Sequence, residues 1–365
     1  MKDFSLIAAG QFAKSRINNV REFGNGNINS TFLVESEDGK FVLQRINTHV
    51  FRRPEDVMRN IHICTEHIRR RMEGLKIEGG RRWTVPSVIT ANNGSDHWTA
   101  PDGSFWRALS FIEGAESFNV IKDLKHAEEA GYALGLFHSL LSDLPPERLA
   151  DTLPGFHITP GYLAHYEEAI AKKQKPAGCS SPEAVYCRDF IARRMGLARI
   201  LEDAKGQGRL LVRTIHGDPK INNIMMDVPA GHAVSMIDLD TVKPGLVHYD
   251  IGDCLRSGCN PLGEEAEEWE DVNFGSGFCR AILRGYLGVA RGFLTANDFE
   301  YIYDCARLIA FELGLRFFTD YIEGDIYFRT GFPEHNLNRA LVQFKLTESI
   351  ESQEAAIREI IREHG

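Results

Sequence analysis

Thr214-Ile215-His216-Gly217-Asp218-Pro219-Lys220-Ile221-Asn222-Asn223-Ile224-Met225-Met226-Asp227 is the stretch around which the rest of the chain makes sense. The apolar run Leu210-Leu211-Val212 leads into it and Ile224-Met225-Met226 leads out, so two short β-like segments frame a loop. That loop carries one carboxylate, one ammonium and two carboxamides. A further apolar run, Val234-Ser235-Met236-Ile237, follows and ends in Asp238-Leu239-Asp240. A carboxylate in a loop, an amide five residues on and a second carboxylate at the end of the next strand can converge. Such a set holds a divalent cation and orients a hydroxyl for phosphoryl transfer.

Asp218 is the candidate for the group that accepts or orients the proton of an attacking hydroxyl. The reaction needs little beyond alignment and charge neutralisation, so one carboxylate within hydrogen-bonding reach suffices. Asn223 offers a carbonyl oxygen and Asp238 a carboxylate, both hard donors suited to magnesium. Asp240 is a candidate for a second metal or a water bound to the first. A lone loop aspartate is usually an Asx turn or a helix cap; the combination His-Gly-Asp-x-x-x-x-Asn followed by Ile-Asp-x-Asp is what gives specificity. His216 reads as structural, packing and bonding backbone rather than acting as a base. Lys220 fits equally a solvated lysine and a charge facing the phosphoryl group or acceptor. Asp250, in His248-Tyr249-Asp250-Ile251-Gly252-Asp253, is expected to cap a helix and brace the loop.

The 365 residues exceed what one small core requires, so one large domain or two lobes is expected. Net charge is 42 − 51 = −9, which argues against a general nucleic-acid or anionic-membrane binder. Seven cysteines without a C-x-x-C pair read as reduced, mostly buried thiols of a cytoplasmic protein. The N-terminal apolar stretch is too short for a signal peptide, and no run is long enough to span a bilayer.

Toward the N-terminus the periodicity is two. Ile17 to Phe23, Thr31 to Glu35 and, after the Asp38-Gly39 turn, Lys40 to Ile46 read as strands. Between the first two lies Gly24-Asn25-Gly26-Asn27-Ile28-Asn29-Ser30. A Gly-x-Gly loop fits a plain turn as well as a phosphate cradle, but a dinucleotide fingerprint needs a helix after it and here a strand follows. A glycine loop joining antiparallel strands is the kinase arrangement. Pro54-Glu55-Asp56 opens a helix with Val57, Ile61, Cys64, Ile68 and Met72 along one face. Glu66 beside that stripe fits a solvated acid as well as a partner for a basic group on the sheet. Val85 to Ile89, His97 to Thr99 and Phe105 to Ile112 complete the strands. Beyond residue 120 helices dominate: 123–142, 182–205 and roughly 249–257, 272–291, 295–322 and 335–363, with 154–162 a loop. The fold class is α+β and two-lobed, with residues 1–112 a nucleotide-binding lobe and 113–365 a helical lobe carrying the catalytic loop and substrate pocket. The cleft between lobes is the expected nucleotide site.

His216 to Asn223 and Ile237 to Asp240 resemble the catalytic and metal motifs of the aminoglycoside phosphotransferase and choline kinase group, which has a protein-kinase-like fold. Gly24 to Phe32, Val42-Leu43-Gln44-Arg45-Ile46-Asn47, Phe318-Thr319-Asp320-Tyr321 and Gly324 to Phe328 look more narrowly like N-acetylhexosamine 1-kinases. The resemblance runs nearly end to end. It implies transfer of phosphate from ATP, with magnesium, to the anomeric hydroxyl of N-acetylglucosamine or N-acetylgalactosamine. It implies Asp218 as base, Asn223 and Asp238 as metal ligands, and Ser110, Phe111 and Ile112 as the hinge whose backbone meets adenine. The glycine-loop residues Gly24, Asn25, Gly26, Asn27 and Asn29 would face the nucleotide. The sugar pocket carried over from the family would use Asp218, Lys220, Arg316 and Tyr327, with Asp320 a further candidate. One departure stands out. Kinases place a lysine on the third strand to hold phosphates, and here the position reads Gln44-Arg45, whose side chains alternate to opposite faces. Either Arg45 replaces the charge, or Gln44 faces the nucleotide and leaves phosphate to the loop and the metal.

Overall fold

A computed structural model describes residues 4–24, 28–75, 77, 80–172 and 181–364. Of the expected nucleotide contacts, Asn25, Gly26 and Asn27 lie outside the described residues.

The chain opens with a helix that periodicity leaves unassigned, α1 (Ser5–Phe12), followed by strands β1 (Ile17–Glu22), β2 (Ser30–Ser36) and β3 (Gly39–Ile46). Helix α2 (Pro54–Met72) precedes β4 (Val88–Ile89), β5 (Trp98–Thr99) and β6 (Phe105–Ser110). The strands form one antiparallel sheet in the order β1-β2-β3-β6-β4, with β5 on β6. Helix α1 covers one face, packing Ala8, Ala9 and Phe12 against Phe41, Leu43, Trp106 and Ala108. On the other face Ile46 and Phe105 join the main core. The strand period of two therefore sends Gln44 and its cross-strand partner Arg107 to the inner face and Arg45 to the outer one. There Arg45 adds to the Ser104 hydrogen bonds that hold the Asp102 carboxyl below its ordinary value.

Helix α2 has Pro54 in its first turn with Glu55 and Asp56, and buries Val57, Met58, Ile61, Cys64 and Ile68. Its Glu66 is half-buried and paired with Arg69 and Arg70 of the same helix, so it sends no acid to the sheet. What ties α2 to the segment beyond Asp238 is Asn60, which is fully buried. Its amide donates to the carbonyls of Ala150 and Val242, both at 2.8 Å, and its carbonyl accepts from Ala150 N–H at 3.0 Å.

The remainder runs β7 (Ala115–Glu116), α3 (Leu124–Leu141), α4 (Thr159–Lys172), α5 (Pro182–Arg194), α6 (Ile200–Gly206), β8 (Arg213–Ile215), β9 (Ile224–Asp227), β10 (Ala233–Met236) and β11 (Lys243–Gly245). Helices α7 (Val247–Gly258), α8 (Ser276–Ala290), α9 (Ala296–Glu300), α10 (Ile302–Glu323), α11 (His335–Ser352) and α12 (Glu354–His364) complete it. Asp123 caps α3 by accepting from His126 N–H at 2.8 Å. Three expectations give way here. The helix expected over 182–205 is broken by a 3-10 segment, Met195–Arg199, which contains Gly196. The expected loop over 154–162 holds for 154–158, but its last residues belong to α4, because Pro160 sits in a first turn where its missing N–H costs nothing. The run Leu210-Leu211-Val212 is not a strand: β8 starts at Arg213, and Leu211 and Val212 are exposed.

Two small antiparallel sheets frame the central loops, β10-β9-β7 and β11-β8. A backbone bond from Ile237 N–H to the Asn223 carbonyl, 2.9 Å, draws the two motif segments together. Among the described residues no helix is long and apolar enough to cross a membrane.

Candidate active site

The His-Gly-Asp turn is built around Gly217, whose φ is +88°. A Cβ there would stand 2.6 Å from the Thr241 carbonyl oxygen, so only glycine lets the two motif segments cross this closely. Beneath the turn lies Asp250, wholly buried in the first turn of α7. It accepts from His216 N–H at 2.7 Å, Gly217 N–H at 2.9 Å and His138 Nε2 at 2.8 Å. Asp250 thus braces the loop but does not cap α7, whose N-cap is Leu246. His216 lies against Phe137, with its Nε2 3.0 Å from the Ile237 carbonyl and its Nδ1 3.3 Å from Asp218 N–H. One nitrogen faces an acceptor and the other a donor, which suits a neutral imidazole. Burial holds its pKa below the ordinary value.

Asp218 and Asn223 meet directly. The Asn223 amide donates to the Asp218 backbone carbonyl at 2.7 Å and to Asp218 Oδ2 at 3.1 Å. Lys220 Nζ lies 3.1 Å from the same Oδ2. Burial alone would raise the Asp218 carboxyl, but Lys220 and then His216 outweigh it and hold the group below its ordinary value. Lys220 in turn is raised by Asp218. Asp238 adopts a left-handed backbone, φ 63° and ψ 55°, that turns it out of β10. It keeps an open face while protein crowds its other sides. That desolvation, with the charges of Asp240 and Asp218, pushes its carboxyl up to about 7; water on the open face moderates the effect.

Carboxylates this close together repel one another, and a cation between them would relieve that repulsion. Among the described residues no three His, Cys, Asp or Glu side chains form a complete metal cage. One carboxylate, Asp238, and one carboxamide oxygen, that of Asn223, instead suit magnesium, which is commonly held by one or two carboxylates plus substrate phosphates and water. Asp240 stands apart from this pair. It is buried, and its two oxygens accept from Arg107 and from Asn29 Nδ2, the latter at 2.7 Å. Its carboxylate is committed to side chains of the sheet and the glycine-loop end, not open to a metal.

Beside Asp218 opens a cavity of about 140 Å³, lined by Lys220, Arg316 and Tyr327 among others. Arg316 is enclosed by the rings of Phe156, Tyr162, Tyr327 and Phe328, at 5.2, 5.0, 6.0 and 5.3 Å. Asp320 is not on this wall. Its Oδ1 accepts from the N–H groups of Ile326 and Tyr327, at 2.9 and 2.8 Å. Its Oδ2 accepts from Phe328 N–H at 2.9 Å and the Asn336 amide at 3.0 Å. The expected sugar contact is therefore replaced by a buried organiser of the loop that presents Tyr327 and Phe328.

Sequence reasoning misses His157 and Glu312. His157 has φ 64° and is buried on the cavity wall, with Nδ1 2.8 Å from Glu312 Oε1 and Nε2 2.8 Å from the Gly217 carbonyl. Two acceptors require both ring nitrogens to carry protons. Burial opposes that charge, but Glu312 and these hydrogen bonds win, raising the His157 pKa. Neither residue stands in a motif, so nothing in the sequence points to the pair. Arg107 is missed as well, although a lone charge within Phe105-Trp106-Arg107-Ala108-Leu109 is a legible signal.

Among the residues expected to meet nucleotide, Gly24 has φ +75°, a conformation suited to a tight turn at the end of β1. The side-chain amide oxygen of Asn29 accepts from Asn47 N–H at 2.9 Å. Gln44 faces inward, where its amide donates to Thr31 Oγ1 at 3.1 Å and its carbonyl accepts from Arg107. Ser110 spends its backbone N–H on the Ser87 carbonyl, 2.8 Å away. Phe111 packs on Phe23 with ring centroids 6.1 Å apart, and Ile112 is buried.

A family model described as the phosphotransferase enzyme family matches residues 19–287. Among solved structures, an aminoglycoside phosphotransferase from Alicyclobacillus acidocaldarius aligns over 100% of this chain and 98% of its own, at 13% identity and TM-score 0.67. A microcompartment-associated aminopropanol kinase aligns over 98% and 99%, at 15% identity and TM-score 0.59. A GDP complex of an aminoglycoside 2'-phosphotransferase aligns over 97% and 96%, at 16% identity and TM-score 0.54. At these identities the likeness establishes the fold.

Proposed function

We infer, for a chain that belongs to the phosphotransferase enzyme family, that it transfers phosphate from ATP, with magnesium, to the anomeric C1 hydroxyl of N-acetylhexosamines. The fold neighbours are named for aminoglycosides and aminopropanol, which are amines, so the acceptor must be read from the cavity. One observation carries the reading. Each carboxylate on the cavity wall stands in an ion pair: Asp218 with Lys220, Asp253 and Glu264 sharing Arg256, and Glu312 with His157, with Asp253 Oδ2 left without a hydrogen-bond partner among the described residues. Arg316 and Arg329 line the same wall without a close ion pair among the described residues, although Arg316 lies in the field of Glu312 and Asp218. A cationic acceptor would meet like charge there. A neutral sugar finds donors for its hydroxyl and acetamido oxygens and the ring of Tyr327 to lie against.

Asp218, held low by Lys220, is a weak base, so its first task is to orient the hydroxyl. As the sugar oxygen bonds the γ-phosphorus and the bond to the bridging oxygen breaks, the hydroxyl proton becomes acidic and passes to Asp218, and ADP leaves. Lys220 stays charged throughout and faces the negative charge on the transferred group. Asn223 and Asp238 would hold the magnesium ion, which neutralises phosphate charge when bound. Residues 1–112 are read as the nucleotide lobe and 113–365 as the lobe for catalysis and acceptor. The setting is read as cytoplasmic, in keeping with described cysteines that are all buried and free. A second reading, a non-catalytic kinase-like binding protein, draws on Gln44 standing where kinases carry lysine. An ADP-release assay across N-acetylglucosamine, N-acetylgalactosamine, choline, homoserine and kanamycin separates these. ADP release with an N-acetylhexosamine alone is expected. Turnover of none of the sugars defeats the acceptor assignment, and turnover of nothing favours the second reading.

A further inference from the structure

We propose that Arg107 replaces the missing strand lysine and meets the nucleotide's phosphates from β6, held in place by Asp240 and Gln44. The inference rests on the kinase reading above. Kinases hold the α- and β-phosphates with a lysine on the third strand, positioned by a glutamate from the neighbouring helix. Both parts of that pair are absent here. The inner-face position of β3 is Gln44, and Arg45 points to the opposite face. On α2, Glu66 is half-buried and spent on two arginines of its own helix.

A cation nevertheless stands at this spot. Arg107 faces Gln44 directly across the sheet and is 1% exposed. Its Nε and Nη2 donate to Gln44 Oε1 at 3.0 and 2.7 Å, and Nη2 also donates to Asp240. Gln44 is thus converted from a phosphate ligand into an acceptor that orients the neighbouring guanidinium. A lysine at 44 would repel that charge, which accounts for the departure from the usual pattern. Asp240 takes over the part of the helix glutamate, and it comes from the metal segment, two residues beyond Asp238. It accepts from Asn29 as well, so one carboxylate joins β6 to the end of the glycine loop.

The remaining nitrogen is the telling one. Arg107 Nη1 is buried and has no hydrogen-bond partner among the described residues. A buried donor left without an acceptor is rare in native proteins and marks a site that something else completes. A planar guanidinium can bond Asp240 and Gln44 through one edge and present the other to a phosphate oxygen, as a lysine ammonium cannot.

The test is calorimetric titration of the full chain with ATP, ADP and adenosine, in magnesium and without acceptor. Arg107→Lys and Arg107→Gln are compared, since the first keeps the charge and most of the reach and the second stays polar without the charge. The expected result is that the lysine variant keeps ATP affinity within about threefold while the glutamine variant loses about tenfold or more for ATP and ADP, with adenosine unchanged in both. Equal ATP affinity of the glutamine variant and the parent overturns the proposal, as does a loss that includes adenosine, which marks a structural role only. Should circular dichroism find either variant unfolded, Gln44→Lys/Arg107→Gln decides, because it moves the cation back to β3. ATP binding within about tenfold of the parent supports the proposal, and no ATP binding by that folded chain overturns it. If the parent itself binds none of the nucleotides, the kinase reading fails, an outcome separate from any loss confined to position 107.

Discussion

Replacing Asp320 by alanine tests whether the acceptor site is held by a buried carboxylate that never touches the acceptor. In the folded chain Asp320 is 3% exposed and accepts four hydrogen bonds, three from successive backbone N–H groups at 2.8–2.9 Å and one from Asn336 at 3.0 Å. Hydrogen bonds to a charged group are worth about 1.5–3 kcal/mol each. The four are not additive, and the loop they hold is partly wet, with Ile326 75% and Tyr327 48% exposed. Freed N–H groups can turn to water, so Asp320→Ala should cost about 3–5 kcal/mol rather than the full sum. The functional effect should be selective. Tyr327 and Phe328 lose their anchor, the aromatic enclosure of Arg316 opens, and the acceptor KM rises about tenfold or more while the KM for ATP stays within about twofold. Urea unfolding followed by circular dichroism gives the stability, and initial rates with either substrate varied give the two constants. A loss below about 0.5 kcal/mol, or equal rises in both KM values, would refute the organising role.

Asp218→Asn should bind nucleotide with parental affinity and lose about three orders of magnitude or more in kcat; parental turnover would remove Asp218 from the role of base. Asp250→Asn keeps the shape but turns one acceptor into a donor facing Gly217 N–H or His138, so kcat should fall about a hundredfold with both KM values nearly unchanged; a larger effect on KM would mean that the loop is braced elsewhere. For His157→Gln, unfolding is measured against pH. The folded imidazolium is held above the ordinary 6.5, so its contribution is fully present below 6.5 and is lost as pH rises through the folded value. Glu312 is held below 4.5, so its contribution is lost as pH falls through that lower value. The stability gap between parent and variant should therefore shrink on the alkaline side, and a gap unchanged up to about pH 9 would sink the charged-imidazole assignment.

The α+β architecture and the loop motifs were legible because their signals are local. A period of two marks β1 to β3, a proline with two acids marks the start of α2, and the spacing of Asp218, Asn223 and Asp238 is short enough to read along the chain. The sequence also located Arg316 and Tyr327, which the structure brings to the same cavity as Asp218 and Lys220. Other assignments depended on direction rather than position. Residue type alone allowed Asp240 to serve a metal and Asp320 to touch a sugar, since an aspartate reads the same whichever groups it faces. Only folding set Arg107 and Asn29 on the first and three backbone N–H groups on the second. Sheet pairing likewise decided between Gln44 and Arg45, because the facing of a strand residue is fixed by which side the core covers. His157 and Glu312 lie 155 residues apart and share no motif. Their pairing exists only where α10 passes behind the catalytic loop, since an ion pair follows distance in space and leaves no trace in the order of residues.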